Sequence, residues 1–382
     1  MPAADAALHG FGAFADSTTD EREERTNTMR NELPVDEAFF QRSLRVTEPD
    51  VRYTDIREAP FAIHGLYAPG TEPGLKRMPD SVGRTINETA ARLYTNPSGG
   101  RVRFATDSRC IAVRMRVPYV THRTIMPLLT SVGVDVYVRE DGRDIYQTSI
   151  RPPCDMTDGY ESFTVFPDRR MREVTLYLPL YNDVTSVEIG LQKDARLTGA
   201  PGYARALPVV FYGSSITQGA SASRPGMSYP AIAARLLDCD FVNLGFASAA
   251  RGEQSVAAYI ASLPCSAFVL DYDYNAPSPE HLCATHRAFF ETVRAGHPDI
   301  PLLMLSRSVI RQTEETRLRR EIILETWRAA RERGDARVRF LDGYAILGEQ
   351  GREDCLADGI HPNDLGAYRM AAAVARALAE EC

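Results

Sequence analysis

The sequence lacks a long apolar run and an excess of positive charge. No stretch of the 382-residue sequence approaches the roughly 18 consecutive apolar residues of a membrane-spanning helix. The formal net charge is −7, whereas general binding to phosphate backbones requires a basic surface. The sequence therefore predicts neither a membrane nor a nucleic acid as a partner.

Closely spaced cysteine pairs and a secretory signal are also missing. The seven cysteines are scattered along the chain, and none of them form a CxxC pair. This pattern is typical of reduced thiols in the cytoplasm, and it matches neither a disulfide framework nor a zinc site. Residues 1–33 lack the basic segment and the apolar core of a signal peptide. We therefore expect a cytoplasmic protein without a bound metal.

The chain divides into three segments of different composition. Residues 1–33 are largely polar and charged, which predicts a disordered lead-in, and Met29 is an alternative start. The remaining length exceeds the usual size of one hydrophobic core, so two domains are expected. We place them at residues 34–200 and 201–382.

Residues 34–200 contain short runs in which apolar residues alternate with polar ones. The runs at 134–138 and 187–191 have this period of two, as do those at 101–104, 111–117 and 176–180. Glycine, proline and aspartate interrupt the pattern between runs. Such alternation is typical of half-buried strands and predicts a jelly-roll-like β-sandwich.

From residue 207 onward, apolar runs alternate with amphipathic helical patterns. The runs LPVVFY (207–212), AFVLDY (267–272) and PLLMLS (301–306) are continuously apolar, as expected of parallel strands covered on both faces. The longest helical pattern spans residues 313–333. This alternation predicts an α/β fold with a doubly wound parallel sheet.

Polar segments lie at the ends of the apolar run at 207–212, of a short predicted strand at 241–244 and of the run at 267–272, and a fourth precedes the last helix. They read GSSITQG (213–219), NLGFAS (243–248), DYDYNAP (271–277) and DGIHP (358–362). Functional residues of doubly wound sheets lie beyond the carboxyl ends of the strands. Each segment alone is weak evidence for a functional site, because a serine after a strand commonly forms a turn or caps a helix.

The order of these segments resembles the SGNH (GDSL-like) hydrolase family over residues 207–380. The resemblance implies a serine esterase with Ser215 as nucleophile. A serine hydroxyl needs a neighbouring base, and His361 can accept its proton near neutral pH. Asp358 would orient the imidazole and stabilise its charged form. The resemblance also implies an oxyanion hole formed by the backbone N–H groups of Ser215 and Gly245 and by the side chain of Asn275.

Two departures from the family pattern leave alternatives open. Ser214 stands where the family usually has an aspartate, so either hydroxyl could be the nucleophile, although alignment favours Ser215. Asp273 brings an additional carboxylate next to Asn275. It either bonds to its own backbone, as loop aspartates commonly do, or raises the pKa of His361.

The β domain resembles the lead domain of two-domain carbohydrate esterases, most clearly at residues 176–190. It either shapes a pocket for an acyl sugar or small ester, or serves only as a scaffold. Tyr181, Asn182 and Asp183 are candidates for the rim of such a pocket.

These features together predict a hydrolase of small acyl esters, with an O-acetylated sugar as the expected substrate. The reaction would pass through an acyl-serine and need no cofactor. An acyltransferase with the same acyl-enzyme is one alternative. A noncatalytic carbohydrate-binding protein is another, although the joint presence of Ser215, Gly245, Asn275, Asp358 and His361 argues against it. Partners are expected to be small-molecule or saccharide esters, and homo-oligomer formation is left open.

Overall fold

The computed structural model of the protein describes residues 46–48 and 50–380, all of which belong to one compact unit. The predicted lead-in at residues 1–33, including Met29, lies outside the described residues. No helix in the described residues has the length and apolar character needed to cross a bilayer.

The first half of the described chain forms two antiparallel sheets around a shared core. One sheet has the order β1-β9-β4-β7 and the other the order β10-β3-β8-β5-β6, with β2 on β3. Val113 and Ile189 from one sheet pack with Phe104, Val136 and Leu176 from the other, and all five are fully buried. The predicted β-rich domain is confirmed. The strands are Val51–Asp55 (β1), Ala62–His64 (β2), Arg101–Thr106 (β3), Cys110–Arg116 (β4), Val134–Glu140 (β5), Arg143–Ile150 (β6), Gly159–Val165 (β7), Arg172–Tyr177 (β8), Ser186–Gln192 (β9) and Leu197–Thr198 (β10).

The predicted strand at residues 176–180 ends earlier than expected. Strand β8 stops at Tyr177, because Pro179 has no N–H to donate to a neighbouring strand. Leu178 and Leu180 are buried nonetheless. Leu180 packs against residues of the second half of the chain, including Ala220. At Leu180 the apolar pattern therefore reflects contact with the second half of the chain, whereas Leu178 belongs to the core of the β-rich half.

The second half is an α/β layer structure with a five-stranded parallel sheet in the order β12-β11-β13-β14-β15. Central strand β11 is apolar on both faces, since Val209, Val210 and Phe211 are fully buried. The predicted parallel-sheet α/β fold is confirmed. The strands are Arg205–Gly213 (β11), Cys239–Gly245 (β12), Ala267–Asp271 (β13), Leu302–Leu305 (β14) and Val338–Leu341 (β15).

Helices of the described residues follow the predicted pattern closely. The helix predicted at 313–333 is Glu314–Glu332, which begins with a capping box at Thr313 and is followed by Gly334 in the left-handed region. The helices are Asp80–Gly83 (α1), Ala90–Leu93 (α2), Leu128–Val132 (α3), Ser215–Gln218 (α4), Tyr229–Leu237 (α5), Gln254–Ser262 (α6), Pro279–Gly296 (α7), Glu314–Glu332 (α8), Gly343–Ile346 (α9) and Asp364–Ala379 (α10).

Part of the segment assigned to the β domain packs into the α/β core. Met78, Leu93 and Tyr94, in and around α1 and α2, belong to the same buried cluster as Phe246. The guanidinium of Arg77 is fully buried there and donates to the carbonyl oxygens of three residues. Those acceptors are Leu93 (2.6 Å), Asn243 (3.0 Å) and Gly245 (2.5 Å). The boundaries at residues 34–200 and 201–382 stay predictions.

Candidate active site

The candidate nucleophile is the first residue of helix α4, directly beyond the end of β11. Ser215 Oγ lies 2.8 Å from His361 Nε2. The hydroxyl of Ser214 is fully buried and caps the helix by accepting a hydrogen bond from Ile216 N at 3.2 Å. Of the two serines left open by the sequence, the geometry therefore places Ser215 beside the histidine and gives Ser214 a structural contact.

Asp358 and His361 lie in one tight loop before helix α10. Asp358 Oδ2 is 2.8 Å from His361 Nδ1, while Asp358 Oδ1 accepts bonds from the backbone N–H groups of Ile360 and His361. Gly359 has a φ of +83°, which permits the turn between them. Because Nδ1 faces a carboxylate, the tautomer with a proton on Nδ1 is favoured, and Nε2 is free to accept the serine proton.

The pKa of Asp358 lies below its usual value. Burial acts in the opposite direction, but the hydrogen bonds from the backbone and side chain of His361 and from Ile360 N outweigh it. Asp358 therefore remains a carboxylate at neutral pH and can stabilise a protonated imidazole.

Two of the three predicted oxyanion donors have an N–H to offer. Within the described residues, the backbone N–H of Ser215 has no acceptor, as expected for the first position of a helix. The side-chain amide of Asn275 donates one N–H to Phe246 O at 2.8 Å, which leaves its second N–H. Both groups lie at the carboxyl edge of the sheet.

The backbone N–H of Gly245 is already used. It donates to Asn243 Oδ1 at 2.9 Å, so an oxyanion role for Gly245 requires this bond to break. The absence of a side chain has another purpose, since a Cβ here would lie 2.2 Å from Gln218 N. Gly245 thus lets β12 pack closely against α4.

Ser248 offers the unpaired donor that Gly245 lacks. It has a φ of +58° and is exposed in the turn after β12, and its N–H has no acceptor in the described part of the chain. Asn275 bonds to Phe246 O in the same turn. The sequence does not reveal this position, because serine here adopts the left-handed conformation that is usually occupied by glycine.

Gln218 connects this turn to the nucleophile's helix. Its side chain is fully buried, with Oε1 accepting from Ala247 N at 2.9 Å. Its Nε2 donates to Leu180 O at 3.2 Å and to Asn96 Oδ1 at 3.4 Å. One glutamine therefore joins α4, the turn after β12 and the β-rich half. The sequence analysis missed it, since an isolated glutamine carries no recognisable motif.

Asp273 forms ion pairs, an interaction that differs from both sequence-based interpretations, which were a bond to its own backbone and an effect on His361. Its carboxylate is buried and pairs with the guanidinium groups of Arg307, at 3.2 Å, and Arg319, at 3.4 Å. It also accepts a bond from Arg307 N at 3.0 Å. Asp273 thus holds Asn275's loop against β14 and α8.

A second carboxyl group, Asp271, lies buried beneath the nucleophile. Burial raises its pKa to about 7, although bonds from Tyr229 and Thr217 partly offset that effect. Its Oδ2 accepts from Tyr229 Oη at 3.0 Å and from Thr217 Oγ1 at 3.1 Å, and its backbone oxygen accepts from Ser214 N. Asp271 lies in the segment DYDYNAP, but no motif in the sequence indicates this buried position.

The three candidate rim residues of the β-rich half differ in position. Tyr181 is fully buried, and its Oη lies 3.5 Å from Ser215 O. Asn182 is also buried and accepts a bond from Thr121 N at 2.8 Å. Asp183 is partly exposed and accepts bonds from Thr95 and Asn96. Tyr181 thus contacts the nucleophile's backbone from below and is not a rim residue.

Within residues 46–48 and 50–380, no group of three or more histidine, cysteine, aspartate or glutamate residues is arranged to hold a metal ion.

Comparison with known families gives two matches that together span most of the described residues. A model of the GDSL-like lipase/acylhydrolase family matches residues 206–379. A model of the N-terminus of SGNH hydrolase-type esterases matches residues 51–197. No curated protein sequence matches the chain.

Several solved structures are similar over nearly their whole length. A Bacteroides ovatus protein assigned to the GDSL-like lipases shares 30% identity with a TM-score of 0.78, covering 87% of this chain and 98% of that one. A salicylyl-acyltransferase from a tetracycline biosynthetic pathway shares 21% identity with a TM-score of 0.71 and the same coverage. A family two carbohydrate esterase from Cellvibrio japonicus shares 13% identity with a TM-score of 0.58, again covering 87% and 98%. The last two similarities concern the fold alone.

Proposed function

Because the chain belongs to the GDSL-like lipase/acylhydrolase family, we propose that it is a serine esterase that hydrolyses small acyl esters, with O-acetylated sugars as the expected substrates. The single observation that carries this proposal is the continuous chain of hydrogen bonds from Ser215 through His361 to Asp358. This is the arrangement that activates a serine for attack on an acyl carbon.

Acylation begins with attack of Ser215 Oγ on the ester carbonyl carbon. His361 Nε2 takes the hydroxyl proton, and the carboxylate of Asp358 stabilises the resulting imidazolium. The tetrahedral intermediate then collapses, and the C–O bond to the alcohol breaks. The alcohol leaves with the proton from His361, and the acyl group remains on Ser215.

Deacylation repeats these proton transfers with water. His361 takes a proton from the water molecule as its oxygen attacks the acyl carbon. On collapse the proton returns to Ser215 Oγ and the carboxylic acid departs. Both halves develop negative charge on the carbonyl oxygen, which needs donors fixed in advance. The N–H groups of Ser215, Ser248 and Asn275 Nδ2 are the candidates for this role, and Gly245 qualifies only if its bond to Asn243 opens.

Acyl transfer to an alcohol is the alternative outcome of the same acyl-enzyme. The fold shared with the salicylyl-acyltransferase makes this alternative worth testing. Product analysis with p-nitrophenyl acetate, with and without an added sugar acceptor, separates the two. Free acetate as the main product in both reactions supports an esterase, while acetylated sugar as the main product supports a transferase.

The substrate class is tested by turnover of acetylated monosaccharides and oligosaccharides beside p-nitrophenyl esters of increasing chain length. Preference for acetyl esters of sugars over p-nitrophenyl butyrate supports the proposal. Faster hydrolysis of longer acyl chains than of acetyl groups would contradict it. If the protein instead binds carbohydrate without catalysis, we expect no turnover of any ester.

A further inference from the structure

Hydrogen bonds hold the loop of residues 118–127 in the β-rich half next to the nucleophile's helix. Its Thr121 N donates to Asn182 Oδ1 at 2.8 Å, and its Ile125 O accepts from Ser221 Oγ at 3.0 Å. Thr130, just after the loop, donates to Ala222 O. Residues 221 and 222 follow helix α4 by only a few positions, so the loop is held close to the candidate active site.

Arg123 extends from this loop over the ring of Tyr181. Its guanidinium carbon lies 5.0 Å from the ring centroid, and Tyr181 Oη lies 3.5 Å from Ser215 O. One tyrosine side chain therefore separates the guanidinium from the backbone of the nucleophile. Arg123 and Ser215 are thus linked through two contacts, both made by Tyr181.

The guanidinium of Arg123 has no hydrogen-bond or ion-pair partner among the described residues. Its Nη1 atom is buried without an acceptor. By contrast, the buried guanidinium groups of Arg77 and Arg319 each donate to several carbonyl or carboxylate oxygens. A guanidinium carries five N–H donors and cannot lose its charge, so leaving it unpaired is unfavourable.

The groups around Arg123 do not supply the missing acceptor. Burial raises the pKa of Tyr181, so its hydroxyl stays neutral at physiological pH and contributes only its ring. The carboxylate of Asp183 is occupied by Thr95, Asn96 and Tyr119. A positive charge is thus held near the nucleophile without a counter-ion in the described part of the chain.

We propose that Arg123 binds a carboxylate of the substrate, and that the preferred esters carry an acidic group remote from the scissile bond. The inference rests on the proposed function because it takes Ser215 as the reacting group. A planar guanidinium suits a carboxylate, since two parallel N–H groups can donate to its two oxygens. An acidic sugar or an aromatic acid would present such a group.

The kinetic test compares esters that differ only in charge. In one pair, 4-acetoxybenzoate and 4-acetoxybenzamide place the group on the alcohol side. In the other pair, the p-nitrophenyl monoester of adipic acid and p-nitrophenyl adipamate place it on the acyl side, with a chain too long for rapid attack of the carboxylate on its own ester. We expect kcat/KM to favour the acid in one pair by roughly 10- to 100-fold, as for a hydrogen-bonded charge pair. The pair that shows the preference identifies the side that faces Arg123.

Arg123→Gln should remove most of that preference, and Arg123→Lys should restore part of it. The matched control is Arg92→Gln, because Arg92 is 75% exposed, pairs with Glu88, and should leave the ratio of acid to amide as in the wild type. A wild type without preference, or a preference that survives in Arg123→Gln, overturns the proposal. If Arg123→Gln and Arg92→Gln reduce the preference for the acid equally, the effect of the charge is long-range, and the proposal is overturned as well.

A binding measurement separates this proposal from the esterase proposal. Calorimetry on the Ser215→Ala chain gives the ratio of Kd values for 4-acetoxybenzoate and 4-acetoxybenzamide without turnover. Tighter binding of the acid that is lost when Arg123→Gln is added supports the carboxylate site, even if the wild type hydrolyses no ester. Equal Kd values for acid and amide, together with hydrolysis of all four esters at similar rates, contradict the site and leave the esterase intact.

Discussion

Gln218 accepts a 2.9 Å hydrogen bond from the backbone N–H of Ala247, and this bond joins the helix of the nucleophile to the turn that carries Ser248. Two of the three candidate oxyanion donors, the N–H groups of Ser215 and Ser248, lie on these two elements. Their relative position is therefore fixed by a side chain that does not contact the substrate.

Gln218→Met should lower kcat more than it raises KM. Methionine has a similar length but leaves Ala247 N and Asn96 Oδ1 unpaired, so we expect kcat to fall about 10- to 100-fold, within the range for a misplaced oxyanion donor. The free energy of unfolding should fall by about 1–3 kcal/mol for the unpaired buried groups. The exposed Gln147→Met serves as the control. A rise in KM with unchanged kcat would argue against a positioning role.

Ser214→Ala should reduce stability while turnover continues. The substitution removes the hydroxyl that caps helix α4, which costs about 1 kcal/mol, and it leaves the hydrogen bond between Ser215 and His361 in place. Urea unfolding and p-nitrophenyl acetate hydrolysis measure the two effects. Loss of turnover in a folded Ser214→Ala protein would show that the cap is not the main role of this residue.

Asp271→Asn should change how stability depends on pH. Burial raises the pKa of Asp271 to about 7 from 3.8, so the folded protein keeps a proton that the unfolded chain releases at lower pH. The unfolding free energy of the wild type therefore falls as pH rises from about 4 to about 7, by on the order of 4 kcal/mol from this group.

Asparagine carries no titrating proton. The free energy of unfolding of the variant should therefore rise relative to that of the wild type across this pH window, and the difference should stay constant above it. Denaturant titrations at pH 4.5, 6 and 8 measure this difference. Asp194→Asn, at a side chain that is 73% exposed, is the control. A difference between Asp271→Asn and wild type that does not change with pH would contradict the prediction.

Asp273→Asn tests which role the additional carboxylate has. Removing its charge leaves Arg307 without a carboxylate partner and Arg319 with Glu315 alone, which should destabilise the fold by about 1.5–3 kcal/mol. Thermal unfolding measures this loss. If Asp273 instead acts on the histidine, the variant would shift the pH profile of kcat/KM and unfold at nearly the wild-type temperature.

Much of the fold could be predicted because its elements follow from local patterns. The apolar runs that became β11, β13 and β14 are long enough to identify buried parallel strands, and the period of α8 is regular with a capping residue at each end. The failures are where burial comes from the other half of the chain. Leu180 follows the alternation of a strand but packs against the second half of the chain, and Met78 belongs to a core that is formed by distant residues.

Residues of the candidate site were predictable to the extent that their chemistry appears in short motifs. Ser215, His361 and Asp358 lie in two such motifs, and the structure brings them within hydrogen-bond distance. Gln218 and Ser248 were missed. The role of Gln218 arises from bonds between segments far apart in sequence, and that of Ser248 from a backbone angle that residue type does not reveal.

The central claim is that Ser215 is the nucleophile, and covalent labelling tests it most directly. Folded protein is treated with a fluorophosphonate, digested, and mapped by mass spectrometry, with Ser214→Ala and Ser215→Ala as the paired variants. Our account predicts one adduct per chain on Ser215, present in Ser214→Ala and absent from Ser215→Ala. An adduct on Ser214, or a folded wild type that takes no label, would contradict it.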